Sequence, residues 1–277
     1  MTIKNYKIGL EKNKANFASL TPISFLERAS NIFPNYTSII SENNKFTWKT
    51  TFTRCRLFAS ALQKKNIKKG DTVSIMAPNT SAMYEAHFAI PMAGAVINTI
   101  NIRLDPKTIS HILNHSDSKL IFSDTEFLPV IKQALEISNH KIPIIFVDDC
   151  KDFSNNIDVG QSYEDFLNEG NPQDLKFDLN IVDEWFPISL SYTSGTTGNP
   201  KGVVTHHRGA YLNAISNHLI WHMKKNPVYL WTLPMFHCNG WCFPWSIAVL
   251  AGTNICLRKI NAKKIFELIK KHNVSNL

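Results

Sequence analysis

Residues 191–202 read Ser-Tyr-Thr-Ser-Gly-Thr-Thr-Gly-Asn-Pro-Lys-Gly and join two apolar runs, Ile188–Tyr192 and Gly202–Thr205, that we predict to be strands. Glycine lets backbone N–H groups approach an anion, and hydroxyls and lysine add hydrogen bonds and charge, so this composition suits a phosphate cradle. It also fits a flexible surface loop. A Walker P-loop is excluded, because counted from Gly195 it needs glycine at 200 and Ser or Thr at 202, where this chain has Pro200 and Gly202.

Strand and helix patterns alternate on both sides of this segment. The predicted helices are Pro22–Phe33 with Thr21 as N-cap, Lys49–Lys65, Ser81–Ala93, Pro106–His115 with Asp105 as N-cap, Glu126–Ile137, Tyr163–Leu167, His207–Trp221, Gly240–Ala251 and Ala262–His272. The other predicted strands are Thr37–Ser41, Lys45–Trp48, Thr72–Ala77, Ala95–Thr99, Lys119–Ser123, Pro143–Val147, Val228–Thr232 and Thr253–Leu257. This alternation predicts an α/β fold of mainly parallel sheets flanked by helices, with active loops at the carboxyl ends of strands.

Composition excludes several classes of protein. The 277 residues are 44% hydrophobic and 11% aromatic, which is enough for a large core and excludes a disordered chain. The 30 basic and 22 acidic side chains give a net charge of +8, spread through lysine pairs on helix faces. These pairs suit a solvated surface or an anionic ligand. The sequence has no basic stripe with interleaved aromatic residues, so it does not indicate nucleic-acid binding. The most apolar stretch, Trp241–Gly252, is too short to span a bilayer.

Cysteine usage and the start of the chain predict a cytoplasmic location. The five cysteines are an odd number without the spacing of a disulfide framework, which favours reduced thiols. The first 20 residues contain lysines but no apolar signal region, and Glu11 is unusual for a mitochondrial presequence.

The loop sequence resembles the signature of the adenylate-forming (AMP-binding) superfamily, Tyr-Thr-Ser-Gly-Thr-Thr-Gly-x-Pro-Lys-Gly-Val, at every fixed position of residues 192–203. Three other parts of the chain also resemble the superfamily at the corresponding places: Gly70–Val73 with Asn79, Ala93–Val96 and Leu233–His237. The resemblance extends from about Thr21 to the end of the chain. Segments Thr21–Glu27, Met83–Phe88 and Phe236–Trp245 are most similar to acyl-CoA synthetases that act on short and medium fatty acids or methylthioalkanoates.

That resemblance implies an acid–thiol ligase. Such enzymes join a carboxylic acid to the α-phosphate of ATP with the help of Mg²⁺, release pyrophosphate and transfer the acyl group to coenzyme A. The implied cofactor-binding residues are Thr193, Ser194, Gly195, Thr196, Thr197, Gly198 and Lys201. Lys201 is also implied as a catalytic charge on the leaving pyrophosphate, and no metal-binding side chain is implied.

The resemblance also implies an acyl site near the Leu233–His237 turn. His237 is implied as a catalytic and substrate-binding residue beside the reacting carboxylate, although a structural histidine at a helix start also fits this position. Trp241 is implied as a wall of the acyl pocket, as are Phe243 and Trp245, although aromatic residues on such a helix also fit a plain core.

Later motifs of the superfamily do not occur in these residues, and Val274–Leu277 has the pattern of a further buried strand. The sequence therefore predicts an N-terminal extension at residues 1–20 and, at residues 21–277, the first half of the large N-terminal domain, without the C-terminal domain. We expect this chain alone to be inactive. Two further hypotheses stay open, a catalytically silent nucleotide-binding paralogue and an adenylation enzyme that loads a carrier-protein pantetheine.

Two other groups of residues resemble metal or nucleophile sites. His111 and His115 are spaced for one helix face, a spacing found in zinc sites, but no third ligand is evident and exposed structural histidines fit better. His237-Cys238 and Cys242 form only a weak zinc or Cys–His pattern, because no second cysteine pair accompanies them.

Overall fold

The computed structural model describes residues 8–42, 44–138, 141–148, 160–179, 183–193 and 199–277. Within these ranges the helices are α1 (Ile23–Ile32), α2 (Trp48–Lys64), α3 (Ser81–Met92), α4 (Pro106–His115), α5 (Leu128–Ile137), α6 (Tyr163–Asn168), α7 (His207–Trp221), α8 (Cys238–Trp241), α9 (Phe243–Val249) and α10 (Ala262–His272). The strands are β1 (Thr37–Ser41), β2 (Asn44–Thr47), β3 (Thr72–Met76), β4 (Val96–Thr99), β5 (Ser118–Asp124), β6 (Ile144–Val147), β7 (Gln161–Ser162), β8 (Pro187–Thr193), β9 (Lys201–His206), β10 (Val228–Trp231) and β11 (Thr253–Cys256).

The described strands form two sheets. One has the order β7-β6-β5-β3-β4-β8-β9 and the other the order β10-β11-β1-β2. Neighbouring strands are parallel in both, apart from the antiparallel pairs β8–β9 and β1–β2. The α/β class with mainly parallel sheets is therefore confirmed.

Helices α2 and α3 lie between the two sheets. Helix α3 contacts β1 of the smaller sheet and β3 and β4 of the larger one, and all its residues are buried. From α2, the ring of Phe58 packs 4.7 Å from that of Phe122 on β5. Helices α4 and α5 cover the other face of the larger sheet through a core that includes Ile109, Ile121 and Ile131. Helix α10 packs its Leu268 in a small core with β10 and β11.

Side-chain caps set several helix starts. The side chains of Thr47, Thr80, Asp105 and Asn261 each accept a hydrogen bond from a backbone N–H in the first turn of the helix that follows. Such a cap satisfies one of the N–H groups that a helix start leaves without a backbone partner. The residue before α1 is Pro22 and not the predicted Thr21, although the Thr21 hydroxyl still accepts a long hydrogen bond (3.4 Å) from the N–H of Ile23, the first residue of α1, and lies 2.8 Å from Nδ1 of His207.

The helix predicted at Gly240–Ala251 is wrong in its first part. Residues 238–242 all have positive φ, which a right-handed helix excludes, so regular helix begins only at Phe243. The cause lies far away in sequence. The amide of Asn239 donates to the hydroxyls of Ser189 (2.8 Å) and Ser191 (3.2 Å) on β8, which holds this turn against the strand.

Two smaller predictions also differ from the structure. In the polar segment Asp149–Asp183, the structure has the predicted helix and also the two-residue strand β7, which a polar sequence does not predict. Residues 149–159 and 180–182 of this segment lie outside the described residues. The buried strand predicted at Val274–Leu277 is a single parallel bridge between Asn276 and Tyr229, and none of the four residues is buried.

A buried ion pair joins the two sheets. Arg258 follows β11 and donates from Nη1 to Oδ2 of Asp124 (2.6 Å), the last residue of β5. The Arg258 side chain is 7% exposed and that of Asp124 is fully buried. Burial alone would lower the pKa of Arg258, but the hydrogen bonds and charges of Asp124 and Glu126 together outweigh burial and raise it. The guanidinium therefore stays charged and requires its partner.

We predict that Asp124→Ala lowers the free energy of unfolding by about 3 kcal/mol, because it leaves a buried guanidinium without its main partner. Chemical denaturation of the natural protein measures this loss. The matched control is Lys119→Ala, which breaks the exposed pair of Lys119 with Asp117 and should cost less than about 1 kcal/mol. Equal effects of the two substitutions would contradict this account of the sheet interface.

Candidate functional site

The predicted phosphate loop begins and ends on one β-hairpin. Strand β8 delivers Thr193 and β9 begins with Lys201, and these two residues are partners in the antiparallel ladder. The hairpin therefore fixes the separation of the two ends of the loop. Of the residues expected to hold phosphates, Thr193 and Lys201 are exposed at the hairpin end, and Ser194, Gly195, Thr196, Thr197 and Gly198 lie outside the described residues.

Glycine at position 202 lets the hairpin pack tightly beside this end. Gly202 pairs with Tyr192 across the ladder. A Cβ at position 202 would lie 3.0 Å from the side chain of Leu190 and 3.6 Å from the ring of Tyr192. The first distance is tighter than most packing contacts and the second is an ordinary one, so a larger residue would require the Leu190 side chain to shift by a few tenths of an ångström.

The turn that carries His237 is held by Asn79. The side-chain amide of Asn79 donates to the backbone oxygens of Trp231 (2.9 Å) and Leu233 (3.1 Å), and its oxygen accepts from the N–H of Met235 (2.8 Å). Asn79 itself is 6% exposed and lies just after β3. Three hydrogen bonds from one buried amide thus fix the turn between β10 and His237 against the larger sheet.

Two further contacts fasten the same turn to β4 and β8. The hydroxyl of Thr99, at the end of β4, donates to the backbone oxygen of Phe236 (2.8 Å). Asn239 binds the hydroxyls of Ser189 and Ser191 on β8, as described above. His237 therefore lies between two attachment points on the strands whose carboxyl ends form the site.

These elements enclose a cavity of about 220 Å³. Its lining residues are Thr99, Asn101, Leu104, Thr108, Ile112, Ser191, Tyr192, Thr193, Pro200, Phe236, His237 and Cys238. The structure thus brings Thr193, from the predicted phosphate loop, and His237, from the predicted acyl site, to one cavity. Many of the other lining groups are hydroxyls, amides or backbone near strand ends, so the cavity offers hydrogen bonds to a polar ligand.

The aromatic residues predicted to wall an acyl pocket lie elsewhere. Trp241 is 61% exposed and is absent from the cavity lining. Phe243 and Trp245 are buried in the main core, where the indole N–H of Trp245 donates to the backbone oxygen of His87 (3.0 Å). Phe243 and Trp245 are therefore core residues, which is the alternative that the sequence left open.

The sequence analysis missed a basic wall beside this cavity. A neighbouring cavity of about 300 Å³ shares Phe236 and is lined by Arg103, Arg258 and Lys259 among others. Arg258 and Lys259 form ion pairs with Asp124 and Glu126. The three cations come from the loop before α4 and the segment after β11, so no local sequence pattern connects them.

The structure places the two histidines on α4, and His237, Cys238 and Cys242 in the turn between β10 and α9. The rings of His111 and His115 stack with centroids 5.6 Å apart, and no group of three His, Cys, Asp or Glu side chains suited to a metal occurs among the described residues. The Cys238 thiol is exposed and lies 3.9 Å from Nε2 of His237. Burial raises the pKa of Cys242 to about 11, which keeps that thiol protonated.

Comparison with known proteins identifies relatives along the chain. Residues 26–277 match the model of the AMP-binding enzyme family. An acetate/butyrate–CoA ligase of Arabidopsis thaliana is 48% identical over 279 residues, which cover 96% of this chain and 49% of that protein. An acetate–CoA ligase of Humulus lupulus is 47% identical over 280 residues, with coverage of 96% and 49%. The chain thus spans about half the length of the curated relatives it matches.

A solved structure gives the same fold. An anthranilate–CoA ligase in complex with anthranoyl-AMP superimposes with a TM-score of 0.79 at 18% identity, covering 96% of this chain and 50% of that one. This likeness confirms the predicted α/β domain architecture.

The predicted cytoplasmic location is contradicted. Several relatives, including the acetate/butyrate–CoA ligase and a benzoate–CoA ligase of Arabidopsis thaliana and a trans-cinnamate–CoA ligase of Petunia hybrida, are named as peroxisomal proteins. Reduced thiols and the lack of a secretory signal do not distinguish a cytoplasmic protein from a peroxisomal one. Within the described part of the chain, no helix combines the length and the apolar character needed to cross a membrane.

We predict that Asn79→Ala lowers the free energy of unfolding by about 1–3 kcal/mol, because it leaves buried backbone groups of the turn without partners. Asn79→Asp should lower the free energy of unfolding at least as much as Asn79→Ala, since a carboxylate accepts from Met235 but cannot donate to the two carbonyls. Chemical denaturation measures both, with exposed Asn168→Ala as a control expected to stay within about 0.5 kcal/mol of the natural protein. A stable Asn79→Ala protein would contradict the anchoring role.

Proposed function

The chain belongs to the AMP-binding enzyme family, and we propose that it supplies the phosphate-binding and acyl-binding parts of an ATP-dependent acid–CoA ligase. One observation carries this proposal. Thr193, where the loop of residues 194–198 departs, and His237 line the same cavity, although they are far apart in sequence. An adenylate-forming reaction needs such a juxtaposition, because it must hold a polyphosphate and a carboxylate side by side.

The proposed reaction has two steps. A carboxylate oxygen of the acid attacks the α-phosphorus of ATP, the bond to the β-phosphate oxygen breaks, and pyrophosphate leaves. The coenzyme A thiolate then attacks the carbonyl carbon of the acyl-adenylate, and AMP leaves. Neither step requires a covalent bond to the protein, so catalysis consists of positioning and of stabilising charge on the phosphates.

The proposed roles of the residues follow from their chemistry. Thr193, Lys201 and the intervening Ser194, Gly195, Thr196, Thr197 and Gly198 hold the β- and γ-phosphates through hydroxyl, backbone N–H and ammonium donors. The exposed Lys201 side chain can follow pyrophosphate as it leaves. His237 orients the carboxylate in the cavity, and the exposed Trp241, which is absent from the cavity lining, borders the part of the acyl group that extends out of it. Mg²⁺ bound with ATP supplies further positive charge on the phosphates.

The proposed substrates are small carboxylic acids. The relatives reported above are named as ligases for acetate, butyrate, benzoate and cinnamate, which supports a short acid over a long fatty acid. We also propose that residues 21–277 form the first half of the large domain of such an enzyme, preceded by an extension at residues 1–20. The family match to residues 26–277 supports this division.

We predict that Lys201→Ala slows acid-dependent exchange of pyrophosphate into ATP by about 10²-fold, because it removes a charge that stabilises the leaving pyrophosphate. The exchange is measured with acetate, propionate and butyrate on the natural protein, purified at its native length from its source. Lys132→Ala removes another exposed lysine, on α5, and should leave the rate unchanged. Unfolding curves of both variants should match the natural protein. Exchange at the natural rate after Lys201→Ala would contradict the role of this lysine.

A further inference from the structure

A histidine of α4, His115, contacts Tyr192, the residue before Thr193 at the base of the phosphate loop. Nδ1 of His115 lies 2.8 Å from the hydroxyl oxygen of Tyr192, and the two rings meet edge-on with centroids 5.7 Å apart. The ring of His111 stacks on that of His115, with centroids 5.6 Å apart. Because Nδ1 of His115 is already engaged by a tyrosine, His115 is arranged to hold that side chain in place.

Ser116, the residue after His115, connects this end of α4 to the middle of the sheet. Burial raises the pKa of the Tyr192 phenol and the Ser116 side chain opposes that shift, so the phenol remains protonated near neutral pH. Ser116 in turn contacts the hydroxyl of Ser118 (2.7 Å), and Ser118 contacts that of Ser74 (2.6 Å). The chain of hydrogen bonds continues from Asn98 to Ser74 (2.8 Å), so it runs through β5, β3 and β4 in the middle of the sheet.

The same helix forms a wall of the cavity. Thr108 and Ile112 of α4 line the cavity together with Tyr192 and Thr193. His115 follows Ile112 by three residues, so it lies on the same side of the helix, next to the cavity wall. A single helix therefore contacts both the space in which we place the reacting groups and the strand end from which the phosphate loop departs.

We propose that His115 is a positioning residue for ATP, which holds Tyr192 and thereby sets the position of Thr193 and the base of the phosphate loop relative to the cavity. Tyr192 is a residue of β8 and pairs with Gly202 of β9, and a Cβ at position 202 would lie 3.6 Å from its ring, so the ring lies beside β9 as well as beside His115 of α4. Without the hydrogen bond, the tyrosine can rotate away from α4, and the loop loses its fixed distance from His237. The inference rests on the proposed function of this site.

The test compares variants of the natural protein that remove or restore one hydrogen bond. Tyr192→Phe removes the hydroxyl, and His115→Phe keeps a ring beside Tyr192 but removes Nδ1. His115→Asn places an amide atom close to the position of Nδ1 and serves as the rescue variant. The control Ser216→Ala removes a 2.8 Å hydrogen bond from Ser216 to the backbone of Leu212 on α7, which lies outside the cavity. KM for ATP, KM for the acid and kcat are measured by pyrophosphate exchange, with unfolding curves for each variant.

The proposal predicts a selective effect on ATP. Tyr192→Phe and His115→Phe should each raise KM for ATP about three- to tenfold, the size expected for one lost hydrogen bond, with KM for the acid nearly unchanged. The double variant should be no worse than Tyr192→Phe, because both substitutions break the same contact. His115→Asn and Ser216→Ala should keep the natural KM for ATP.

Other outcomes separate two kinds of failure. An unchanged KM for ATP in both phenylalanine variants, an equal rise of KM for the acid, or additive effects in the double variant would overturn the positioning role while leaving the proposed function intact. No exchange by the natural protein with any acid would overturn the proposed function, and the inference would fall with it.

Discussion

The parallel pairing of β4 with β8 is the constraint on which the site depends. It aligns Thr99 with Ser191 at the carboxyl ends of two adjacent strands. Thr99 binds the turn at Phe236, and Ser191 binds it at Asn239, so the segment around His237 is attached to both strands at once. If β8 slipped by one residue against β4, Ser191 would turn to the opposite face of the sheet and the turn would lose its attachment to β8.

Buried polar groups determine the relative placement of the two sheets. The Asn79 amide makes three hydrogen bonds to the turn after β10, and the carboxylate of Asp124 binds Arg258 after β11. Apolar packing tolerates many small shifts between layers, but buried amides and charges cost several kcal/mol without partners. These contacts therefore favour one relative placement of the sheets, and the two cavities that share Phe236 lie at their junction.

Local signals in the sequence predict much of the fold. Helices α7 and α10 have the predicted bounds, and α4 begins at the predicted Asp105 cap, because the caps and the periodicity lie within the segments themselves. The break at residues 238–242 could not be predicted, since it depends on hydrogen bonds from Asn239 to a strand about fifty residues earlier. The same holds for the contact of His115 with Tyr192, for which the sequence shows only two histidines four residues apart. The site residues followed from resemblance of the loop motif, whereas the residues that hold them follow only from the three-dimensional structure.

We propose that this site activates a carboxylic acid by transfer to the α-phosphate of ATP. The most direct test incubates the natural protein with ATP, Mg²⁺, coenzyme A and acetate or butyrate whose two carboxylate oxygens carry a heavy isotope. Mass spectrometry of the products then locates the labelled oxygen. Our account predicts AMP that carries one labelled oxygen, because the acid oxygen that attacks phosphorus stays on AMP when the thioester forms. Label in inorganic phosphate together with ADP, or unlabelled AMP beside the acyl-CoA product, would contradict it.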